Sequence, residues 1–282
     1  MTKLALGTVQ FGMDYGVSNK TGRVTKNEVK KILATCLDNE LMVLDTAYAY
    51  GASEEILGEV GVDKFEVISK VPKLDQAEPE SIRYYVEKSL SRLELKNIKG
   101  MMFHDCNDLL SKKGEIYYST LKTVCSDHNI PRVGVSVYSP SQLKEVMKNF
   151  DVDIVQFPLN LFDQRFLEDG LLNNLKNKGI ETYSRSTFLQ GLFFLDDSMV
   201  PDSIKNVIPD LQKVRGIAAE QEVDISTLAL TFVMNSGIDY NVLGVVSNEQ
   251  LLGNIKDSRC FLNCDFEKFA LKDEKVLNPS LW

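Results

Sequence analysis

The chain has 282 residues, enough for one large domain or two ordinary ones, and no Pro-, Gly- or Ser-rich linker divides it. Its 32 basic and 40 acidic residues give a formal charge of −8, which argues against a nucleic-acid or anionic-membrane surface, since either needs a basic face. No apolar run approaches the ~20 residues of a membrane span, and the amino terminus lacks a charged segment ahead of an apolar signal core, so a cytoplasmic protein is expected.

Strand and helix signals alternate along the chain at spacings that suit βα units. Leu4 to Thr8 reads as the first strand. A long loop from Val9 to Val24, carrying Gln10, Asp14, Tyr15 and Asn19, leads to a helix near Thr25. There Thr25 and Glu28 stand in capping-box spacing, and Val29, Ile32, Leu33, Cys36 and Leu37 make an apolar stripe. Val43-Leu44 forms a second strand ending at Asp45, and Ser53 is expected to cap a short helix through Leu57. Phe65 to Lys70 is the third strand, and Glu78-Pro79-Glu80 opens a helix whose Ile82, Val86, Leu90 and Leu93 face inward.

Ile98 to Phe103 is the fourth strand, ending at His104. Helices from Gly114 to His128 and from Ser139-Pro140 onward flank the fifth, Arg132 to Ser136. Asp153 to Phe157 is the sixth. A helix over Leu167 to Lys178, stopped by Gly179, precedes the seventh, Ile180 to Ser184. Helices over roughly Ser203 to Glu222 and Ser226 to Asn235 precede Tyr240 to Gly244. Eight strands is the count of an α/β (β/α)8 barrel, read here as one domain over 1–282.

Such barrels keep their chemistry at the strand ends, and three successive ends carry Asp45, Lys70 and His104, with Tyr50 in the loop after the first of them. A tyrosine hydroxyl is a poor acid at neutral pH, with a pKa near ~10. An adjacent ammonium, here Lys70, favours the phenolate and is expected to bring that pKa down. Asp45 would hold the lysine charged and aimed, and His104 would hydrogen-bond the substrate oxygen on which charge develops. That group donates a proton to a carbonyl but supplies no hydride, so a nicotinamide cofactor is implied. Five cysteines, Cys36, Cys106, Cys125, Cys260 and Cys264, without metal-ligand spacing, and only two histidines, point to reduced thiols and no metal site.

The run Asp45-Thr46-Ala47-Tyr48-Ala49-Tyr50-Gly51 with Ser53-Glu54, then Ser69-Lys70, then Phe103-His104, resembles the catalytic signature of the aldo-keto reductases. The resemblance extends from Leu6-Gly7-Thr8 to Gly253-Asn254. It implies a (β/α)8 barrel that passes hydride from NADP(H) or NAD(H) to an aldehyde or ketone, with Tyr50 as general acid, Asp45 and Lys70 tuning it, and His104 orienting the carbonyl. It also implies that Ser136 and Gln156 hold the nicotinamide carboxamide and that Tyr183 stacks on the ring. Val137 stands where the family usually has asparagine, which removes one amide contact.

By the same resemblance Thr8 belongs to the cofactor set, and the segment from Tyr183 to Leu192, with Ser184, Arg185 and Gly191, lies along the diphosphate, Arg185 standing where proline is usual. Gly244, Ser247, Gln250 and Asn254 face the adenosine end. NADPH-selective members place Lys or Arg in that last segment, whereas Gly244, Val246 and Gln250 are uncharged, so use of NADH as well as NADPH is credible. Lys256 is the remaining cation there.

Leu6 to Gly16 resembles a bacterial branch of the family associated with surface-polysaccharide or unusual-sugar pathways. A hydroxylated carbonyl or sugar derivative is therefore the expected substrate, met by Gln10, Asp14 and Tyr15 and by pocket aromatics such as Phe11, Phe157 and Phe162. The tail Asn278 to Trp282 either folds over the site or docks elsewhere. Two other functions stay open on the residues: a nicotinamide-binding regulatory subunit without turnover, and a lyase forming a Schiff base at Lys70.

Overall fold

The computed structural model describes residues 2–282. Eight parallel strands pair in chain order: β1 (Lys3–Gly7), β2 (Val43–Asp45), β3 (Glu66–Val71), β4 (Gly100–Phe103), β5 (Val133–Ser136), β6 (Ile154–Pro158), β7 (Glu181–Arg185) and β8 (Tyr240–Gly244). The sheet closes where β8 pairs with β1, Leu4 opposite Asn241 and Gly7 opposite Gly244. Helices Lys26–Asp38, Ser53–Val60, Ser81–Leu93, Gly114–Asp127, Pro140–Asn149, Leu171–Asn177, Ile208–Glu220 with Ile225–Met234, and Asn248–Asp257 follow the strands in turn. Each strand is covered on both faces, which is why the strand segments read as apolar runs rather than as alternation.

Inside the barrel Ala5, Val43, Ile68, Met102, Ile154, Tyr183 and Val242 form a cluster of their own. Gly134 lies among them without a side chain, because a Cβ there would press to 2.7 Å on Ile154 Cβ and 2.9 Å on Met102 Cγ. Side chains alternate along a strand, so the residues two further on are the next to point inward, one pleat nearer the carboxyl ends. They are Gly7, Asp45, Lys70, His104, Ser136, Gln156, Arg185 and Gly244. This step of two sets which residue of each strand reaches the mouth.

Local signals behave as their chemistry dictates, with instructive departures. Ser139 and Gln142 close a full capping box. Thr25 accepts from the Glu28 N–H at 3.3 Å, but the Glu28 carboxylate accepts from the Asn248 N–H at 2.8 Å, joining the first helix to the last one of the ring. Ser53 is not a cap but the first helical residue, and its hydroxyl lies 2.9 Å from both the carbonyl and the hydroxyl of Thr8. The helix expected over 167–178 is split: Glu168 and Asp169 leave helical geometry, and Gly170 at φ +66° starts the shorter helix Leu171–Asn177. The loop after β1 holds a helical turn, Val9–Gly12, that buries Phe11 in the core.

Candidate active site

Lys70 is wholly buried and donates 2.8 Å hydrogen bonds to both oxygens of Asp45 and a 2.9 Å bond to the Thr46 carbonyl. All three ammonium protons are thus engaged. Burial lowers the Lys70 pKa, and the Asp45 carboxylate opposes that shift. Asp45 Oδ1 also accepts from Gln156 Nε2 at 2.8 Å, so the pair is tied across the barrel to β6.

Tyr50 stands above this pair in the turn that follows β2. The ammonium lies 5.1 Å from its ring centroid, and the His104 ring meets it edge-on at 5.6 Å. The turn is pinned from below: Tyr50 N–H donates to Ala47, Ser53 N–H donates to the Tyr50 carbonyl, and Thr8 Oγ1 donates to the Asp45 carbonyl at 3.0 Å. Gly12 packs so closely that a Cβ would collide with the Tyr50 carbonyl oxygen. The expected lowering of the Tyr50 pKa is not found: burial raises it, the Asp45 charge adds to that, and Arg185 opposes both. With its protons spent on Asp45 and Thr46, Lys70 has none to offer the hydroxyl. Tyr50 is therefore a protonated hydroxyl at neutral pH.

His104 follows β4, and burial, then the Lys70 and Arg185 charges, lower its pKa from 6.5 to about 3. It is a neutral imidazole, able to donate from one ring nitrogen. The unfolded chain binds a proton here below pH 6.5 that the folded chain refuses until about pH 3. Stability should therefore fall as pH drops through that window, by at most about 1.4 kcal/mol per pH unit from this group. Thermal melts of the protein and of His104→Gln across pH 4 to 8 check this, and the variant should show the shallower acid slope.

A cleft of about 480 Å³ opens over these groups and runs from His104 and Tyr50 past Ser136 and Gln156 to Gly244 and Gln250. Thr8, Asp45, Arg185 and Gly191 also line it. The loops after β1 and β7 meet above it, Val17 N–H donating to the Gln190 carbonyl at 2.9 Å. Lys70 lies behind Asp45 and does not reach the cleft surface.

Tyr183 is the main correction. It is fully buried one pleat below the mouth, stacked on Tyr240 at 4.8 Å, its hydroxyl donating to Glu181. β7 runs one residue further than its sequence suggests, and the residue it brings to the cleft is Arg185, whose guanidinium lies 4.2 Å from the Tyr138 ring. The Ser184 hydroxyl donates to Asn241 Oδ1 on the outer side of the barrel and does not line the cleft, whereas Thr187, which donates to the same oxygen, does line it.

At the far end Ser247 caps helix Asn248–Asp257 by accepting from the Gln250 N–H, and Gln250 Oε1 accepts from Val246 N–H. Ser247 and Asn254 do not line the cleft, and Lys256 is exposed. Phe11, Phe157 and Phe162 are core residues, the latter two packed on Phe166 and Phe193. The aromatic lining comes instead from Tyr15, which the sequence placed there, and from Tyr138, Phe188 and Phe194, which sequence reasoning missed. Tyr138 had a signal, since it stands two residues beyond Ser136 on the same side. Pro279 and Ser280 of the tail reach the rim, and Trp282 Nε1 donates to the Lys275 carbonyl. Asp14 sits off the cleft beside Gly22, and Cys106 is buried, its thiol pushed up to about 12 by that burial.

The residues present fit a nicotinamide cofactor. Gln10 Oε1 is buried without a partner beside Gly244, and the cleft is lined there by backbone and amide groups. Among the described residues, Arg185 is its one Lys or Arg. No cluster of three or more His, Cys, Asp or Glu side chains among them is placed to hold a metal ion, and no helix among the described residues is long and apolar enough to cross a membrane.

A barrel with this mouth falls among the NAD(P)-dependent oxidoreductases of (β/α)8 fold. The aldo/keto reductase family model matches residues 3–274, and the chain belongs to that family. Comparison with curated proteins gives no match. Among solved structures, an aldo-keto reductase from Bacillus halodurans in its holo form superposes with a TM-score of 0.74 at 15% identity, over 99% of this chain and 93% of that one. The glycerol dehydrogenase of Gluconobacter oxydans gives 0.71 at 22% over 94% and 88%. An aldo-keto reductase from Klebsiella pneumoniae in complex with NADPH gives 0.69 at 18% over 98% and 91%.

Proposed function

We propose that the protein reduces an aldehyde or ketone to the alcohol with Tyr50 as the proton donor. The observation that carries this reading is the convergence of Tyr50, neutral His104 and the Asp45–Lys70 pair on one end of the cleft. The cofactor, when bound, supplies the hydride. His104 donates a hydrogen bond to the carbonyl oxygen and so fixes which carbonyl face is presented. Tyr50, held protonated by burial, gives its proton to that oxygen as negative charge develops there. A developing alkoxide is a far stronger base than the phenolate left behind, so a raised Tyr50 pKa does not block the transfer. The Lys70 ammonium, fixed beneath the ring, stabilises the phenolate that forms.

Ser136 and the Gln156 carbonyl oxygen are the groups assigned to the nicotinamide carboxamide, Gln156 having committed one of its two N–H groups to Asp45. Gly244 and Gln250 are assigned to the adenosine end, with Asn254 behind them. Gln10 and Tyr15 at the cleft suit a substrate bearing hydroxyl groups, as a sugar derivative would. A Schiff base on Lys70 is disfavoured by its position: the amine is sealed behind Asp45 with every proton engaged.

Parallel titration with NADPH and NADH, followed by quenching of tyrosine and Trp282 fluorescence and then by carbonyl-dependent loss of nicotinamide absorbance, tests the assignment. Both cofactors should bind at submillimolar concentration and within about tenfold of each other. A dedicated cation for the 2′-phosphate would be worth about ten- to a hundredfold, and none lines that end. Absence of binding by either would remove the cofactor assignment. Binding without turnover of any carbonyl would favour the regulatory-subunit reading.

A further inference from the structure

Of the side chains that β1 to β8 raise to the mouth, three carry charge, and they are not equivalent. Asp45 and Lys70 neutralise one another at 2.8 Å. Arg185 has no such partner. Every other partly buried arginine meets a carboxylate: Arg83 with Asp127, Arg92 with Glu54 and Glu55, Arg132 with Glu181, Arg165 with Asp163, and Arg215 with Asp197. Arg185 instead reaches only a carbonyl, Val137 at 3.3 Å, and a hydroxyl, Ser186 at 3.4 Å, both long contacts, and lies over the Tyr138 ring.

A half-buried guanidinium gives up hydration that those two contacts do not replace. It retains N–H donors in the forked arrangement that matches a carboxylate. Resting on the reading of the site as a carbonyl-reducing one, we propose that Arg185 recognises an anionic group on the substrate, so that the preferred substrates are carbonyl compounds carrying a carboxylate.

Its direction favours the substrate over the cofactor as the source of that anion. The guanidinium leaves β7 toward β5, to Val137 and Tyr138, and away from Gly244 of β8 and Gln250 of the helix after it, where the adenosine end is assigned. On that side it stands close enough to the reacting end for its charge to act on Tyr50, His104 and Tyr15. The nicotinamide ring carries no negative charge and becomes positive on oxidation, so a cation beside it needs an anion from elsewhere. In a chain of formal charge −8, capture of an anion also requires a local cation.

The test uses the full-length protein saturated with NADPH and a matched pair, 4-carboxybenzaldehyde and methyl 4-formylbenzoate, whose aldehydes are alike in reactivity and differ in charge. The expected kcat/KM favours the acid by about ten- to a hundredfold, the worth of one charge-assisted hydrogen-bonded pair. Arg185→Gln should bring the acid-to-ester ratio near one, and Arg185→Lys should keep an intermediate ratio, which a general loss of folding would not produce. A ratio near one in the unaltered protein, or one unchanged in Arg185→Gln, overturns the proposal. So does a tenfold weaker binding of NADPH and NADH by Arg185→Gln with the ratio preserved, since the anion would then be a cofactor phosphate. If no carbonyl is reduced at all, the reductase reading has failed. Calorimetric binding of benzoate to the protein with NADP+ then decides the site by itself: binding lost in Arg185→Gln supports it, and no binding overturns it.

Discussion

Replacement of Tyr50 by phenylalanine should lower kcat by about 10²-fold or more while cofactor binding stays within a few-fold of the unaltered protein. The change removes one oxygen and keeps the ring, which is what packs against His104 at 5.6 Å and above the Lys70 ammonium at 5.1 Å. The turn is held by backbone bonds at Ala47 and Ser53 and by its contact with Gly12, none of which involve the hydroxyl. Loss of rate with unchanged melting temperature and unchanged NADPH affinity would place the whole effect on proton donation. Steady-state kinetics with any turned-over aldehyde reads the first quantity and fluorescence titration the second. A variant with full kcat would end the assignment of Tyr50 and move the proton to His104, whose burial-lowered pKa makes it a poor donor near neutrality.

The barrel was legible because its signals are local and repeated. Each strand is a short apolar run, and turn and cap residues such as Ser139-Pro140, Gly179 and Ser247 stand at helix boundaries where their backbone preferences put them. The positions of Asp45, Lys70 and His104 at strand ends followed from the same runs. Depth within the barrel was not legible. Tyr183 and Arg185 point the same way from β7, and a strand end placed one residue early makes the lower of the two look like the rim residue. Counting from the interior cluster removes the error, but that cluster is defined by packing between strands far apart in sequence.

Electrostatics were also out of reach. The expectation that Lys70 lowers the Tyr50 pKa assumed a free ammonium facing the hydroxyl. The chain instead directs its three protons to Asp45 and to the carbonyl of Thr46, and burial then dominates. Likewise Phe11, Phe157 and Phe162 were indistinguishable by type from the aromatics that do line the cleft. Only their neighbours, Phe166 and Phe193 among them, show them to be core.

Replacement of Lys70 by methionine should destabilise the fold by about 3–5 kcal/mol and abolish most of the activity. Methionine fills the space but leaves Asp45, whose side chain is 4% exposed, with the Gln156 amide as its remaining side-chain partner. The size of the penalty comes from stranding that carboxylate more than from losing an attraction, because two desolvated charges repay only part of what their burial costs. The double change Asp45→Asn with Lys70→Met should therefore be more stable than Lys70→Met alone, even though it removes more of the pair. Urea unfolding of the unaltered protein, Asp45→Asn, Lys70→Met and the double variant gives the coupling between the two sites directly. Activity should not follow stability: the double variant, refolded and well packed, would still lack the cation beneath Tyr50 and should stay as slow as Lys70→Met. Equal stability of the double and single variants would mean that Asp45 is satisfied without its lysine. Recovery of turnover in the double variant would mean that the pair holds the barrel shut and does nothing for the proton.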